Sequence, residues 1–151
     1  MTQYIQDESA QARVEEYLNL PDEDLEKLSD SEFLEGQTEL LNLERATYLA
    51  QASALKAEAD TIAQESEPGD TQFDEESGEG GTATIDRERD LALAAQARAA
   101  VEEIDGAIRK INHKTYGVCE VCHNPIPRAR LRALPYARLC VKCKEGGLSK
   151  R

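Results

Sequence analysis

Residues 34–62 read LEGQTELLNLERATYLAQASALKAEADTI, and their periodicity decides the fold. Leu34, Leu41, Tyr48, Leu55 and Ile62 recur at a spacing of seven, and Ala52 and Ala59 follow Tyr48 and Leu55 by four. A sustained repeat of that kind lays one apolar seam along a long helix. From Gln37 to Glu67 no Gly or Pro interrupts it. Just ahead, Ser29 and Glu32 stand at capping-box spacing, which marks the helix start. About 35 helical residues at 1.5 Å each span roughly 50 Å, and an isolated seam of that length needs a partner helix.

The chain carries one. From about Thr84 to Asn112, the residues Leu93, Ala97, Ala100, Ile104, Ala107 and Ile111 alternate spacings of four and three, with Val101 and Ile108 on the flank. Between the two runs lie Pro68, Gly69, Gly78, Gly80 and Gly81 among acidic residues, which read as a loop. Two matched arms joined locally form an antiparallel hairpin with that loop as its tip. The alternative is a parallel homodimeric coiled coil carrying a disordered insert. Alanines on both seams favour close backbone approach. Ahead of the hairpin, residues 8–18 have a short helical pattern with Ala12, Val14, Tyr17 and Leu18, followed by Pro21 and the pair Leu25 and Leu28.

Composition bears on what stabilises such a chain. Its 151 residues include no Trp, two Phe and 32% charged residues, so a thick globular core is not expected. The net charge of −12 is unevenly divided. Residues 1–108 hold 7 Lys and Arg against 28 Asp and Glu, whereas residues 109–151 hold 11 against 2. Two surfaces with different partners are implied. The N-terminus lacks the pattern of a secretory signal, and no apolar run approaches the roughly 20 residues of a membrane span. A cytoplasmic protein is expected.

In that compartment disulfides are disfavoured, which bears on the four cysteines. Cys119 and Cys122 form one CxxC knuckle, and Cys140 and Cys143 form a second after seventeen residues. Two knuckles at 15–20 residues have metal-site spacing, and four thiolates suit tetrahedral Zn2+. With every position filled by protein, the expected zinc is structural. A disulfide pair or a redox-active CxxC is the competing reading, without the βαβ pattern such a motif accompanies. His123 reads as an exposed knuckle residue, and His113 as a surface residue at a helix end.

Arg128, Arg130, Arg132 and Arg138 lie between the two knuckles, and Lys142, Lys144, Lys150 and Arg151 follow. They read either as a basic face that meets phosphates or an acidic surface of a protein partner, or as a solvated exterior that offsets the thiolates. Tyr116 and Tyr136 are the only aromatics available for base stacking there, so DNA binding is not expected as the primary mode. At the tip, Asp70, Phe73, Asp74, Glu75 and Glu76 place a lone aromatic among acids, a candidate contact cluster. No nucleophile–base pair, P-loop or dinucleotide fingerprint is present, and the chain is not read as an enzyme.

The finger resembles the DksA/TraR family of RNA-polymerase-binding regulators. The likeness runs through Tyr116-Gly117-Val118-Cys119-Glu120-Val121-Cys122, Ile126-Pro127, Arg130-Leu131, Ala133-Leu134-Pro135, Ala137 and Leu139-Cys140-Val141-Lys142-Cys143-Lys144, and Arg87 to Leu93 resembles the family as well. The resemblance implies direct binding to RNA polymerase without promoter DNA. It implies a coiled-coil hairpin entering the secondary channel, an acidic tip near the active-site Mg2+, and a zinc module with a C-terminal helix at the hairpin base. Response to the alarmone ppGpp belongs to part of the family.

Three features depart from the family pattern. The tip acids Asp70 and Asp74 are four apart rather than three, His123 stands where Gly is often found, and Arg132 stands where an acid is common. The expectation is a mainly α, monomeric protein. Residues 1–28 form an N-terminal helical segment, 29–114 the hairpin with an acidic tip loop at about 68–83, and 115–151 a four-Cys zinc finger with a short C-terminal helix. Its expected function is to modulate initiation through RNA polymerase. The alternatives are a zinc-finger DNA-binding regulator and a channel factor that stimulates transcript cleavage. Residues 1–30 carry no motif that assigns them a role.

Overall fold

A computed structural model describes residues 7–65 and 78–149. Six helices are found among them: α1 (Glu8–Asn19), α2 (Asp22–Lys27), α3 (Asp30–Glu65), α4 (Gly78–Asn112), α5 (Arg128–Ala133) and α6 (Val141–Ser149). No β-strand occurs among the described residues, where Val118 and Pro125 form an isolated antiparallel bridge.

Local chemistry accounts for each helix start. The Asp7 carboxylate accepts from the N–H of Ser9 at 3.0 Å and of Ala10 at 3.2 Å, capping α1. Bonding to the Ser9 hydroxyl and the Ala10 N–H holds its carboxyl below the usual range. Leu20 is extended, as the residue before Pro21 prefers, and α2 follows. The capping box forms as read: Ser29 N–H donates to Glu32 at 2.9 Å, and Glu32 N–H donates to the Ser29 hydroxyl at 3.2 Å.

The chain divides into two compact units, one from 1–46 and 102–151, the other from 47–101. The described residues of the N-terminal helical segment, 7–28, fall in the first unit together with the finger. Its core gathers Val14 and Tyr17 of α1, Leu25 of α2, Phe33 and Leu40 of α3, and Cys119, Ile126 and Leu131 of the finger. Side chains of that size each contribute about 1.5–3 kcal/mol when fully buried. The buried face of α1 is Ala10, Val14 and Tyr17, while Ala12 and Leu18 face solvent.

In the second unit, α3 and α4 lie against each other as the two arms of a hairpin. Ala52 and Ala59 are buried on one arm and Ala94, Ala97 and Val101 on the other. Along this stretch a groove is lined by Tyr48, Leu55 and Glu58 of α3 and by Leu93, Ala97 and Ala100 of α4. The seam on α4 differs from the expected one: Leu93 is 41% exposed, and Ala94 beside it is fully buried. Where backbones approach closely only a methyl fits between them, so Leu93 moves to the flank. An ideal helix also drifts about 20° per heptad against a strict repeat.

The tip set Asp70, Phe73, Asp74, Glu75 and Glu76 falls outside the described residues. Positions 78–83, expected in the tip loop, belong instead to α4. Each Gly there weakens a helix by only about 1 kcal/mol, which propagation from a long stable helix can override.

Candidate metal centre

The four thiols converge as their spacing requires. Sulfurs of Cys119, Cys122, Cys140 and Cys143 all lie within 4.8 Å of one another. The Cys122 and Cys140 sulfurs are 3.7 Å apart, too far for a disulfide bond of about 2.05 Å. That distance matches the edge of a sulfur tetrahedron, about 3.8 Å for Zn–S bonds of about 2.3 Å.

Two local turns bring the sulfurs together. In the first knuckle, Cys119 N–H donates to Asn124 O at 2.9 Å and His123 N–H to Cys119 O at 3.0 Å. His123 closes this turn at φ 61°, and Gly117 precedes it at φ 85°. Ile126 N–H donates to Gly117 O at 2.8 Å, folding the chain after the knuckle back onto the one before it. The second knuckle opens α6, where Lys144 N–H donates to Cys140 O at 3.0 Å. Glu120 N–H donates to Arg138 O at 3.0 Å and so joins the two knuckles.

The electrostatics fit a dication. Backbone N–H groups of Cys122 and Cys140 bring the Cys119 thiol down to about 6. Hydrogen bonding with the Cys140 and Cys119 sulfurs pushes the Cys143 thiol up to about 12. Four sulfurs packed this closely cannot all ionise alone, because each thiolate raises the next. A central Zn2+ removes that conflict, and the donor set is the soft, closed tetrad of a structural zinc site.

The arginines occupy three different settings. Arg128 and Arg132 are only 19% and 13% exposed and bond inside the protein. Arg128 reaches Leu25 O at 3.0 Å, Leu28 O at 2.7 Å and the Asp30 carboxylate at 2.8 Å, and lies 4.7 Å from the Phe33 ring centre. Arg132 donates to Tyr17 O, Leu20 O and Asp22. Arg130 donates to Leu139 O at 3.3 Å. Arg138 is 58% exposed and pairs with Glu103 at 3.3 Å. The structure therefore does not gather all four guanidiniums on one outward basic face.

A buried polar hub stands close to the finger, and sequence reading did not find it. The Gln37 amide donates to the Tyr116 hydroxyl at 2.6 Å and to Leu131 O at 2.9 Å, and its oxygen accepts from the Tyr17 hydroxyl. Tyr116 in turn donates to Pro135 O at 2.7 Å. On α4, Lys110 pairs with Glu120 at 2.6 Å, and this bond lowers the Glu120 carboxyl.

Described by its fold and site, the chain is a helical-hairpin protein with a C-terminal four-cysteine zinc finger. Residues 114–146 match the prokaryotic dksA/traR C4-type zinc finger. A transcription factor DksA2 structure from Pseudomonas aeruginosa superposes with a TM-score of 0.51 at 23% identity, over 85% of this chain and 96% of that one. An 8.5 kDa protein of Escherichia phage 186 is 36% identical over 37% of this chain and 75% of its own. The RNA polymerase-binding transcription factor DksA of Caulobacter vibrioides is 37% identical over 40% of this chain and 42% of its own. The chain belongs to the DksA/TraR family, and its four cysteines form that family's structural zinc site. It spans 32%, 56% and 27% of the length of three further curated relatives.

Proposed function

We propose that this chain regulates transcription by binding RNA polymerase, without catalysing a reaction itself. The observation that carries the proposal is the pairing, in one chain, of a four-thiolate finger with an antiparallel helical hairpin. The relative from Caulobacter vibrioides, named as an RNA polymerase-binding factor, supports the choice of partner.

In this reading the hairpin enters the secondary channel and brings Asp70, Phe73, Asp74, Glu75 and Glu76 towards the catalytic metal. Their charge acts there through electrostatics on promoter complexes or nucleotide entry. Arg138, Lys142 and Lys144 form the cationic surface that meets the partner, since Arg128 and Arg132 are already engaged within the chain. That engagement also weighs against the DNA-binding alternative, which needs the same arginines for phosphates.

A photocrosslinker at position 73 tests the proposal with purified RNA polymerase. Crosslinks to polymerase subunits lining the secondary channel are expected, along with no salt-sensitive shift of promoter DNA alone. Crosslinks confined to the outer surface of the polymerase would refute the insertion. Asp74→Asn is expected to leave polymerase affinity nearly intact while changing transcript yield. Equal loss of both would contradict an effector role for the tip.

A further inference from the structure

The helices α1 and α2 are joined to the zinc finger by an unusual pair of side chains. Arg128 and Arg132 sit one turn apart on α5, so both point the same way. Each reaches the end of a different N-terminal helix. Arg132 bonds Tyr17 O and Leu20 O at the end of α1, and Arg128 bonds Leu25 O and Leu28 O at the end of α2. The last carbonyls of a helix lack intrahelical partners and carry its negative pole, so a cation there is favourable. Each guanidinium also holds a carboxylate just beyond its helix end, Asp22 for Arg132 and Asp30 for Arg128. The planar fork of arginine suits this double task, and lysine could not reproduce it.

The segment that carries α5 is anchored at the metal site. The helix lies in the segment that links Cys122 to Cys140, and both of its tethers are zinc ligands. Leu131 on its inner face packs in one cluster with Cys119, Val14, Tyr17 and Leu25. Without a metal to join the knuckles, nothing covalent fixes the separation of the two ends of that segment.

We infer that zinc occupancy controls whether α1 and α2 are docked, with Arg128 and Arg132 as the latch. Zinc holds α5 in place, α5 presents the two forks, and the forks hold the ends of α1 and α2. Metal loss withdraws the latch, frees residues 8–28 and uncovers the faces of Phe33, Ile126 and Leu131. Linkage is reciprocal, so the docked helices strengthen zinc binding by the same factor by which zinc strengthens docking.

Hydrogen exchange on the full chain, with and without a zinc chelator, tests the latch. Chelation is expected to speed exchange in residues 8–28 at least about tenfold, in step with 115–145, while 50–62 and 90–100 keep their protection. Retained protection of 8–28, or equal loss in all segments, would overturn the inference. A zinc-loaded Arg128→Gln, Arg132→Gln variant provides the second arm. It is expected to expose 8–28 with zinc still bound, and to bind zinc more weakly by the factor that docking loses. Unchanged protection and unchanged zinc affinity in that variant would overturn it as well.

Discussion

The ring of Tyr17 lies directly over Gly36, so closely that a Cβ on Gly36 would stand 2.5 Å from the ring's Cε2. Nothing about the backbone of α3 requires glycine at this point, because only Gly117 is recorded at positive φ among the glycines described. The requirement comes from the neighbour. Tyr17 cannot swing aside, because its hydroxyl is held by the buried Gln37 side chain.

Gly36→Ala is therefore expected to destabilise the chain in spite of better helix propensity. The propensity gain is about 1 kcal/mol, while overpacking of this kind costs about 1–3 kcal/mol. Denaturant unfolding followed by circular dichroism gives the sign. A net gain would mean that α1 can shift away from α3.

Alkaline pH should weaken the first unit. Burial pushes the Tyr17 hydroxyl up to about 12 and raises Tyr116 also. An unfolded tyrosine titrates near 10, so the folded chain retains protons that the unfolded chain loses. This contribution is complete below about pH 10 and falls away as pH rises towards about 12. Urea midpoints across that range are expected to drop. In Tyr17→Phe the drop should be shallower, from a starting stability about 1–3 kcal/mol lower because the Gln37 oxygen loses its donor.

Asp90 is an exception in the alanine seam of the second unit. It is 3% exposed, its Oδ2 has no hydrogen-bond partner, and the Arg89 guanidinium approaches Oδ1 no closer than 3.9 Å. Asp90→Ala removes a desolvated carboxylate oxygen and improves helix propensity, so a gain of about 1–2 kcal/mol is expected. A lower melting temperature in this variant would show that the carboxylate is stabilising where it sits.

His123 sits at φ 61°, a conformation that suits glycine. His123→Gly is expected to retain one zinc per chain and to gain roughly 0.5–1 kcal/mol. Metal analysis with thermal melting checks both. Loss of zinc would reveal a ligand-supporting role for the imidazole.

These residues also mark the limit of what could be read from sequence. The zinc ligands were legible because metal geometry imposes fixed short spacings, and the Ser29–Glu32 box because capping is local. The hairpin was legible from periodicity, but periodicity names a face and not its neighbour, so Leu93 was placed in a seam that Ala94 occupies. Arg128 and Arg132 read as a surface charge run because their acceptors are backbone carbonyls some 100 residues away, at Leu25 and Leu20. Every residue has such a carbonyl, so no pattern announces it. Gln37 was hidden for the same reason, since its partners Tyr116 and Leu131 lie far along the chain.

Cys119 belongs to two sets at once, the metal tetrad and the apolar nucleus that contains Val14, Tyr17 and Leu25. The finger is thus not a portable cassette. A graft of residues 114–146 onto a foreign scaffold would carry every ligand yet leave Cys119, Ile126 and Leu131 against water. Transplantation would need the first forty residues as well, supplied in cis or as a separate peptide.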